Sequence, residues 1–273
     1  MKIGITGASG FLGKSFIDSV KDDGHSFRDF TGDIRNRTEL EGFFEGCDVV
    51  VHLAGVFSDN YDQLMEVNVS GTRNVVDSCI ACGVERIIFS STGAVYGEPA
   101  HAVSSENDPL LPSTLYGLSK MFAETYIRFS GISYLILRFP NIYGPGNMKG
   151  VVYNFLDSIS KKGEVIIHGS GEQRRDFLFV EDAVRAIVSA IECSGKSEIL
   201  NISTGESHSL NELVEVFRKE FPNISEKKVP FDESNSLMEL SLDSSKAKRE
   251  LGWSSRVAVD EGVSLLKRSY DKE

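Results

Sequence analysis

The chain has 273 residues, 41% of them hydrophobic and 25% charged, which is typical of a globular protein with one large domain or two small ones. Lys and Arg number 29 against 40 Asp and Glu, and the resulting charge of −11 argues against nonspecific binding to nucleic acid or to an anionic membrane surface. The N-terminal "MKIGITGASGFLG" lacks a signal-peptide cleavage site and no stretch reaches the length of a membrane span, so we expect a cytoplasmic protein without nucleic acid or membrane partners.

The first half of the chain alternates short apolar runs with segments of helical periodicity. Strands are predicted at residues 1–6, 48–53, 86–91 and 133–139, with a further strand that ends near Thr31. Helices are predicted at residues 14–24, 61–83 and 113–131. Continuous apolar strands between helices indicate a parallel sheet covered on both faces, so the predicted fold class is α/β with a doubly wound parallel sheet.

The pattern changes after Asn141, where residues 141–150 are predicted to form a loop. The remaining predicted elements are helices at 151–163, 181–195, 209–221, 243–253 and 257–270 and strands at 164–169, 175–180 and 198–203. Ser209 and Glu212 have the spacing of a capping box. We predict a dinucleotide-binding lobe formed by residues 1–141 and 176–202, with a smaller, interleaved substrate lobe formed by residues 142–175 and 203–273.

The glycines Gly7, Gly10 and Gly13 follow the first strand and open the first helix. Glycine allows a tight turn and lets a pyrophosphate approach the helix N-terminus, where N–H groups and the helix dipole favour an anion. The spacing is G-x-x-G-x-x-G rather than the G-x-G-x-x-G of most dinucleotide dehydrogenases. The pattern predicts a dinucleotide site; the alternative is a glycine-rich turn that serves packing alone.

The phosphate state of the dinucleotide stays open at this point. An acidic residue that binds the ribose is expected about 20 residues after the glycines, but Thr31 occupies the end of the second strand. Asp33 is close enough to take part, whereas Arg28, Arg35 and Arg37 could face a 2′-phosphate. NAD is favoured, with NADP as the alternative.

Tyr116 and Lys120 lie four residues apart in "YGLSK", on a predicted helix. Positions i and i+4 share a helix face, and a cation beside a phenol favours the phenolate and lowers its pKa. The pair therefore predicts a tyrosine base; the alternative is an ordinary core tyrosine and a surface lysine.

Two of the four cysteines, Cys79 and Cys82, form a C-x-x-C pair near the end of a predicted helix. A structural metal site needs a second pair at similar spacing, and the sequence has none. A thioredoxin-like redox motif is the alternative, but the flanking residues indicate the end of a helix, so we expect buried or half-buried thiols and no metal.

Taken together, the chain resembles the extended short-chain dehydrogenase/reductase superfamily, and within it the nucleotide-sugar epimerase/dehydratase family typified by UDP-glucose 4-epimerase. The motifs that carry the resemblance run from one end of the chain to the other in the family's order: "TGASGFLG", "GDI", "VHLAG", "NVSGTRNVV", "FSSTGAVYG", "YGLSK", "LRFPNIYGPG", "RRDFLFVEDAVRAI", "LNISTG" and "KRELGW". The resemblance implies a Rossmann fold and a nucleotide-sugar substrate. It also implies a homodimer that pairs through the helices around Asn68–Cys79 and Tyr116.

The resemblance also assigns site residues. The catalytic residues would be Thr92, Tyr116 and Lys120. The cofactor would be bound by Gly7, Gly10, Phe11, Leu12, Gly13, Asp33, Ile34, Leu53, Ala54, Gly55, Asn68, Ser90, Tyr116, Lys120 and Pro140. The substrate would be bound by Thr92, Asn141 and Arg175, with Arg174 a solvated surface charge. The family uses the position of His52 structurally, so a catalytic role for this histidine is not expected.

The residues after Thr92 distinguish between reactions. Related 4,6-dehydratases place Asp and Glu there, whereas this chain has Gly93 and Ala94, which cannot transfer a proton. The remaining chemistry is hydride transfer at one alcohol or ketone carbon, with removal of the hydroxyl proton by Tyr116. "SSTGAVYG" favours an epimerase that acts at C4; the alternatives are a 4-keto-sugar reductase and a regulator without catalysis.

One family position is not matched. A second phosphate-binding arginine is expected about ten residues before Asp243, but "PFDESNSLMELSLD" contains several carboxylates and no arginine. Either another cation replaces it, or the substrate is not a standard UDP-sugar.

Overall fold

The computed structural model describes residues 1–20, 24–98, 103–231 and 239–271. Its centre is a six-stranded sheet in the order β2-β1-β3-β4-β5-β9, in which every neighbouring pair is parallel. The strands are β1 (Lys2–Thr6), β2 (Ser26–Phe30), β3 (Val49–His52), β4 (Arg86–Thr92), β5 (Ser133–Phe139) and β9 (Glu198–Asn201). The predicted doubly wound parallel sheet is confirmed.

Helices cover both faces of this sheet because strands β1, β3, β4 and β5 are apolar on both sides. One buried cluster includes Phe16 and Ile187, and the other includes Val76 and Ile127. The helices of this region are α1 (Phe11–Ser19), α2 (Arg37–Phe44), α3 (Tyr61–Leu64), α4 (Thr72–Ala81), α5 (Leu115–Phe129) and α7 (Val180–Glu192). A π-helical segment, Met65–Gly71, joins α3 to α4. The predicted helix at 61–83 is therefore one helical run that changes its hydrogen bonding.

The second part of the chain forms two smaller sheets. Strand β8 (Arg174–Phe179) pairs with β6 (Asn141–Tyr143), β10 (Ser207–Ser209) and β12 (Glu239–Leu240), and β7 (Glu164–His168) pairs with β11 (Ser225–Val229). The helices here are α6 (Gly150–Lys162), α8 (Leu210–Glu220), α9 (Ser245–Leu251) and α10 (Val259–Tyr270). The prediction of a loop from 141 was wrong at its start, because Asn141–Tyr143 gains a partner strand in β8.

The chain passes repeatedly between the two regions. Strand β8 lies in the smaller sheet, but the following α7 and β9 return to the central sheet. Trp253, after α9, packs in the central core and donates from its indole N–H to the carbonyl of Asp182 at 3.0 Å. The capping box at Ser209 and Glu212 is confirmed. The boundaries of the two lobes stay a prediction.

His52 is fully buried at the end of β3. Its Nδ1 lies 2.6 Å from the hydroxyl of Thr6 on β1, and its Nε2 lies 2.9 Å from the hydroxyl of Thr72 on α4. Burial lowers the pKa of His52 to about 3. The ring is a neutral link between sheet and helix, as the resemblance implies.

Cys79 is buried and Cys82 half-buried, and both are free thiols, as predicted. Burial raises the pKa of each thiol. Within the described part of the chain, no group of three or more His, Cys, Asp or Glu side chains could hold a metal ion. None of the helices in that part is long and apolar enough to cross a membrane.

The His52 links make the stability of the fold depend on pH. The unfolded chain protonates this ring near pH 6.5 and the folded chain does not, so acid favours unfolding. Between pH 7 and pH 5, the free energy of unfolding should fall by about 2 kcal/mol more in the wild type than in His52→Gln. Urea unfolding at both pH values measures the difference. His25→Gln, at a half-exposed ring, should keep the wild-type pH dependence; an unchanged pH dependence in His52→Gln would contradict the assignment.

Candidate active site

The carboxyl ends of β1, β3, β4 and β5 meet at one edge of the central sheet, where ligands bind in open α/β folds. Two cavities lie along this edge. The glycine-turn cavity, about 760 Å³, lies beside Gly7, Asp33 and Leu53. The tyrosine cavity, about 650 Å³, lies beside Thr92 and Tyr116.

The glycine turn leaves no room for side chains at positions 7 and 13. Gly7 has a φ of +79°, and a Cβ there would lie 2.4 Å from the backbone nitrogen of Ala54. A Cβ on Gly13 would lie 2.1 Å from the carbonyl oxygen of Gly7. Gly10 is the N-cap of α1, and no side chain caps this helix. The turn thus presents bare backbone at a helix N-terminus, which fits the pyrophosphate of a dinucleotide.

Seven of the predicted cofactor residues line the glycine-turn cavity: Gly7, Gly10, Asp33, Ile34, Leu53, Ala54 and Gly55. The carboxylate of Asp33 accepts hydrogen bonds from the guanidinium of Arg35, the shortest at 2.6 Å, and these bonds lower the pKa of Asp33. Arg35 also binds Glu66 at 3.1 Å. Of the three arginines considered for a 2′-phosphate, only Arg35 lines this cavity, and it already contacts two carboxylates.

Asp29, Thr31 and Gly32 line the same cavity and were not predicted as site residues. Asp29 lies on β2, and Thr31 and Gly32 follow the strand directly. Their position after the second strand of a βαβ unit is the sequence signal that could have identified them.

Four predicted cofactor residues, Leu12, Gly13, Asn68 and Lys120, line neither cavity. Leu12 packs against the central core. The side-chain amide of Asn68 accepts a hydrogen bond from the backbone N–H of Val56 at 2.8 Å and donates to the hydroxyl of Ser119 at 3.0 Å. Asn68 therefore connects the segment after the Leu53–Gly55 turn to helix α5 through hydrogen bonds.

The remaining predicted site residues line the tyrosine cavity. They are Phe11, Ser90, Thr92, Tyr116, Pro140, Asn141 and Arg175. The ring of Phe57 meets the ring of Tyr116 edge to face, with centroids 4.9 Å apart. Phe57 and Lys149 also line this cavity and were not predicted, because neither lies in a motif.

Tyr116 and Lys120 lie in the first turns of α5, where Thr114 caps the helix by accepting from the N–H of Gly117 at 3.1 Å. Burial raises the pKa of Tyr116 to about 12 and lowers the pKa of Lys120 to about 8. The lysine Nζ lies 4.2 Å from the centroid of the Phe89 ring. The prediction that Lys120 lowers the pKa of Tyr116 is thus wrong for the protein without cofactor. Burial removes water from the phenol, and this effect on the pKa outweighs any stabilisation of the phenolate by the ammonium group.

Thr92 ends β4, and its hydroxyl accepts a hydrogen bond from the N–H of Ala94 at 3.2 Å. It therefore caps the short turn Gly93–Val95 and at the same time faces the tyrosine cavity. Gly93 is buried, and a Cβ there would lie 3.0 Å from side-chain carbons of Leu240 and Leu242. A carboxylate at position 93 would require the side chains of Leu240 and Leu242 to move.

Arg175 lines both the tyrosine cavity and a neighbouring cavity of about 730 Å³, which we call the arginine-side cavity. Lys161, Lys162 and His168 also line the latter. Burial lowers the pKa of Arg175, and its Nη1 donates to the carbonyl of Arg174 at 2.8 Å.

Arg174 was predicted to be a solvated surface charge, and its side chain is 38% exposed but also makes specific contacts. Its guanidinium donates to the carbonyl of Ser207 at 2.6 Å and binds Glu212 at 3.1 Å, because β8 and β10 pair side by side. Residues 232–238, half of the segment 230–243 in which the second arginine was expected, lie outside the described residues.

Comparison with known proteins agrees with this geometry. The sequence model that describes the NAD dependent epimerase/dehydratase family matches residues 3–203 of this chain. The chain is 33% identical to "Putative UDP-glucose 4-epimerase" of Methanocaldococcus jannaschii over 95% of both chains. It is 38% identical to dTDP-4-dehydro-6-deoxyglucose reductase of Escherichia coli over 68% of this chain and 62% of the reductase.

A solved structure, MoeE5 in complex with UDP-glucuronic acid and NAD, superimposes with a TM-score of 0.92 at 26% identity, covering 100% of this chain and 99% of the other. The predicted Rossmann fold and the resemblance drawn from the sequence motifs are confirmed, and so is NAD as the cofactor of the family. The chain belongs to the NAD dependent epimerase/dehydratase family.

Proposed function

We propose that this protein is an NAD-dependent nucleotide-sugar epimerase that acts at C4 of the sugar. The observation that carries the proposal is that Thr92, Tyr116 and Arg175 line one cavity, next to the glycine-turn cavity. Gly93 and Ala94 supply no acid beside Thr92, which favours hydride chemistry at a single carbon over dehydration.

Tyr116 acts as the base that removes the proton of the sugar hydroxyl. Thr92 hydrogen-bonds the same oxygen, as hydroxyl in one state and as carbonyl in the other. NAD, held by the residues of the glycine-turn cavity, would supply the hydride acceptor and donor for the sugar carbon. Because burial alone would keep the phenol of Tyr116 protonated, the base needs two positive charges close by, the Lys120 ammonium and the oxidised nicotinamide ring.

The nucleotide diphosphate is bound by Arg175, with Asn141 beside it. Lys149 lines the same cavity and begins α6 as its N-cap. Lys161 and Lys162 at the other end of α6 pair with Asp157 and Glu164, whereas no ion pair within the described part of the chain involves Lys149. We assign to Lys149 the role of the second cation that the sequence lacks in the segment before Asp243.

A nucleotide-4-keto-sugar reductase that uses NAD(P)H is the second candidate. The observation in its favour is the 38% identity to the Escherichia coli reductase. A regulator without catalysis is the third, and the presence of Thr92, Tyr116 and Lys120 argues against it. The epimerase is preferred because the relative at 33% identity spans 95% of both chains, whereas the reductase matches 62% of its own length.

We also propose that the protein is a homodimer. Helix α5 exposes Phe122, Tyr126 and Phe129, the last with 83% of its surface accessible. Together with Val69 and Arg73 on the neighbouring helical run, these residues line a shallow apolar depression. A second copy of the same face would cover them.

The glycine turn provides a first test. In Gly13→Ala the added methyl group would overlap the Gly7 carbonyl, so the turn must shift away from a pyrophosphate. We expect NAD affinity, measured by isothermal titration calorimetry, to fall about ten- to hundredfold. Gly42→Ala, on α2 with nothing within 4 Å of the added carbon, should bind NAD like the wild type. Equal affinity in all three proteins would argue against this cofactor site.

The base is tested by Tyr116→Phe. The wild type, incubated with UDP-glucose, UDP-galactose or their N-acetyl forms without added cofactor, should interconvert the C4 epimers. Tyr116→Phe should lower kcat by about 10²- to 10⁴-fold and keep NAD affinity. Tyr126→Phe, on the same helix with its hydroxyl bound to Asp77, is the matched control and should stay active. Reduction of a 4-keto sugar without interconversion would favour the reductase, and undiminished biological activity of Tyr116→Phe would favour the regulator.

The second cation is tested by Lys149→Gln. Loss of one charge-assisted hydrogen bond should weaken binding of UDP and of the UDP-sugar about ten- to hundredfold, with kcat nearly unchanged. Lys161→Gln removes a lysine that already pairs with Asp157 at 2.9 Å, and its binding should stay at the wild-type level. If Lys149→Gln binds UDP as tightly as the wild type, another group holds the diphosphate.

A further inference from the structure

A buried ionic cluster adjoins the tyrosine cavity, which one of its members, Ser91, lines. Its centre is the pair Glu124 on α5 and Arg138 on β5, whose side chains are 1% and 2% exposed. Arg138 donates from Nη2 to one carboxylate oxygen of Glu124 at 2.6 Å and from Nε to the other at 3.0 Å. Such a pair in the protein interior holds two elements in one orientation when its hydrogen bonds are complete.

Three further residues complete the cluster. The hydroxyl of Ser91, on β4, donates to Glu124, and Arg138 donates from Nη1 to the hydroxyl of Tyr96 at 2.7 Å. Tyr96 in turn donates to the side-chain carbonyl of Asn201, on β9, at 2.8 Å. Burial raises the pKa of Tyr96 to about 12, so this hydroxyl stays a donor at neutral pH.

Three members of the cluster lie close in sequence to residues of the proposed site. Ser91 precedes Thr92, Glu124 follows Lys120 by one helical turn, and Arg138 lies two residues before Pro140. The hydrogen bonds therefore fix the ends of β4 and β5 relative to helix α5. A shift of any of them would move Thr92 relative to Tyr116.

The cluster also sets the charge near Lys120. Glu124 on α5 and His52 on β3 interact electrostatically with this ammonium. Tyr116 lies one helical turn before Lys120 on α5, and Arg138 on β5 is bound to Glu124. Burial lowers the pKa of Lys120, and the Glu124 carboxylate is the group that opposes this effect. His52 is neutral and Arg138 is bound to Glu124.

We propose that Glu124 and Arg138 are positioning residues for the reaction: their buried pair fixes Thr92 against helix α5 and keeps Lys120 protonated beside Tyr116. The inference rests on the proposed function for its kinetic consequences. The competing explanation is that the pair only stabilises the fold. Buried ion pairs can often be replaced by apolar side chains without loss of stability, so the two explanations separate experimentally.

Two variants test separately the effect on the charge of Lys120 and the effect on the position of Thr92. Glu124→Gln keeps an oxygen that accepts from Arg138 and removes the charge. The titration midpoint of Lys120, followed through its Cε resonance by nuclear magnetic resonance, should move to lower pH by about half a unit or more. The alkaline limb of the kcat/KM profile should move in the same direction, because removal of the carboxylate favours the neutral amine.

The double variant Glu124→Met/Arg138→Met removes the fixed geometry but fills the space with apolar side chains. We expect a folded protein with NAD affinity and KM within about threefold of the wild type and with kcat lower by about 100-fold, since small displacements of catalytic groups cost that much. The matched control is Asp182→Asn. Asp182 is a buried carboxylate that accepts from the N–H groups of Arg256 and Val257, away from both cavities. The Asp182→Asn variant should have a lower free energy of unfolding and keep the wild-type pH profile of kcat/KM.

An unchanged Lys120 midpoint in Glu124→Gln, or a wild-type kcat in the folded double variant, overturns the proposal. A wild-type protein that converts no nucleotide sugar contradicts the proposed function instead. In that case the Lys120 midpoint, which requires no turnover, still decides whether Glu124 sustains the lysine charge.

Discussion

Parallel pairing of four apolar strands is the constraint on which the rest of the structure depends. Because β1, β3, β4 and β5 run in the same direction, they end together at one edge, and Thr92 comes to lie opposite Phe139. The chain must turn sharply at this edge in a confined space. Only glycine fits at position 7, where the turn after β1 touches the turn after β3. The proposed cofactor and substrate sites are both consequences of that arrangement.

The same apolar surroundings create an electrostatic problem. They hold the phenol of Tyr116 and the ammonium of Lys120 on one helix, but they also disfavour the charged form of each. The carboxylate of Glu124 opposes this effect at Lys120, and the ion pair with Arg138 stabilises that carboxylate in the protein interior. In the proposed mechanism, this polar cluster supports the positive charge of Lys120 that an ionised Tyr116 requires.

Much of the fold could be predicted from the sequence, because buried parallel strands are continuous apolar runs and helices have a different period. The strands that were missed, β6, β10, β11 and β12, are short, and they exist only because distant segments pair with them. The glycine turn and the Tyr116–Lys120 pair were predictable because local spacing determines them. The pKa of Tyr116, the ion pair of Arg174 and the place of Lys149 in the cavity were not, since each depends on what surrounds a side chain after folding.

The central claim is that one hydride leaves the sugar C4 and returns to the same carbon. The most direct measurement is conversion of UDP-glucose deuterated at C4, with the product analysed by nuclear magnetic resonance and mass spectrometry. The account predicts UDP-galactose that retains deuterium at C4, without exchange with water and without net consumption of cofactor. Product that has lost the deuterium to solvent, or net reduction of added cofactor with no epimer formed, would contradict it.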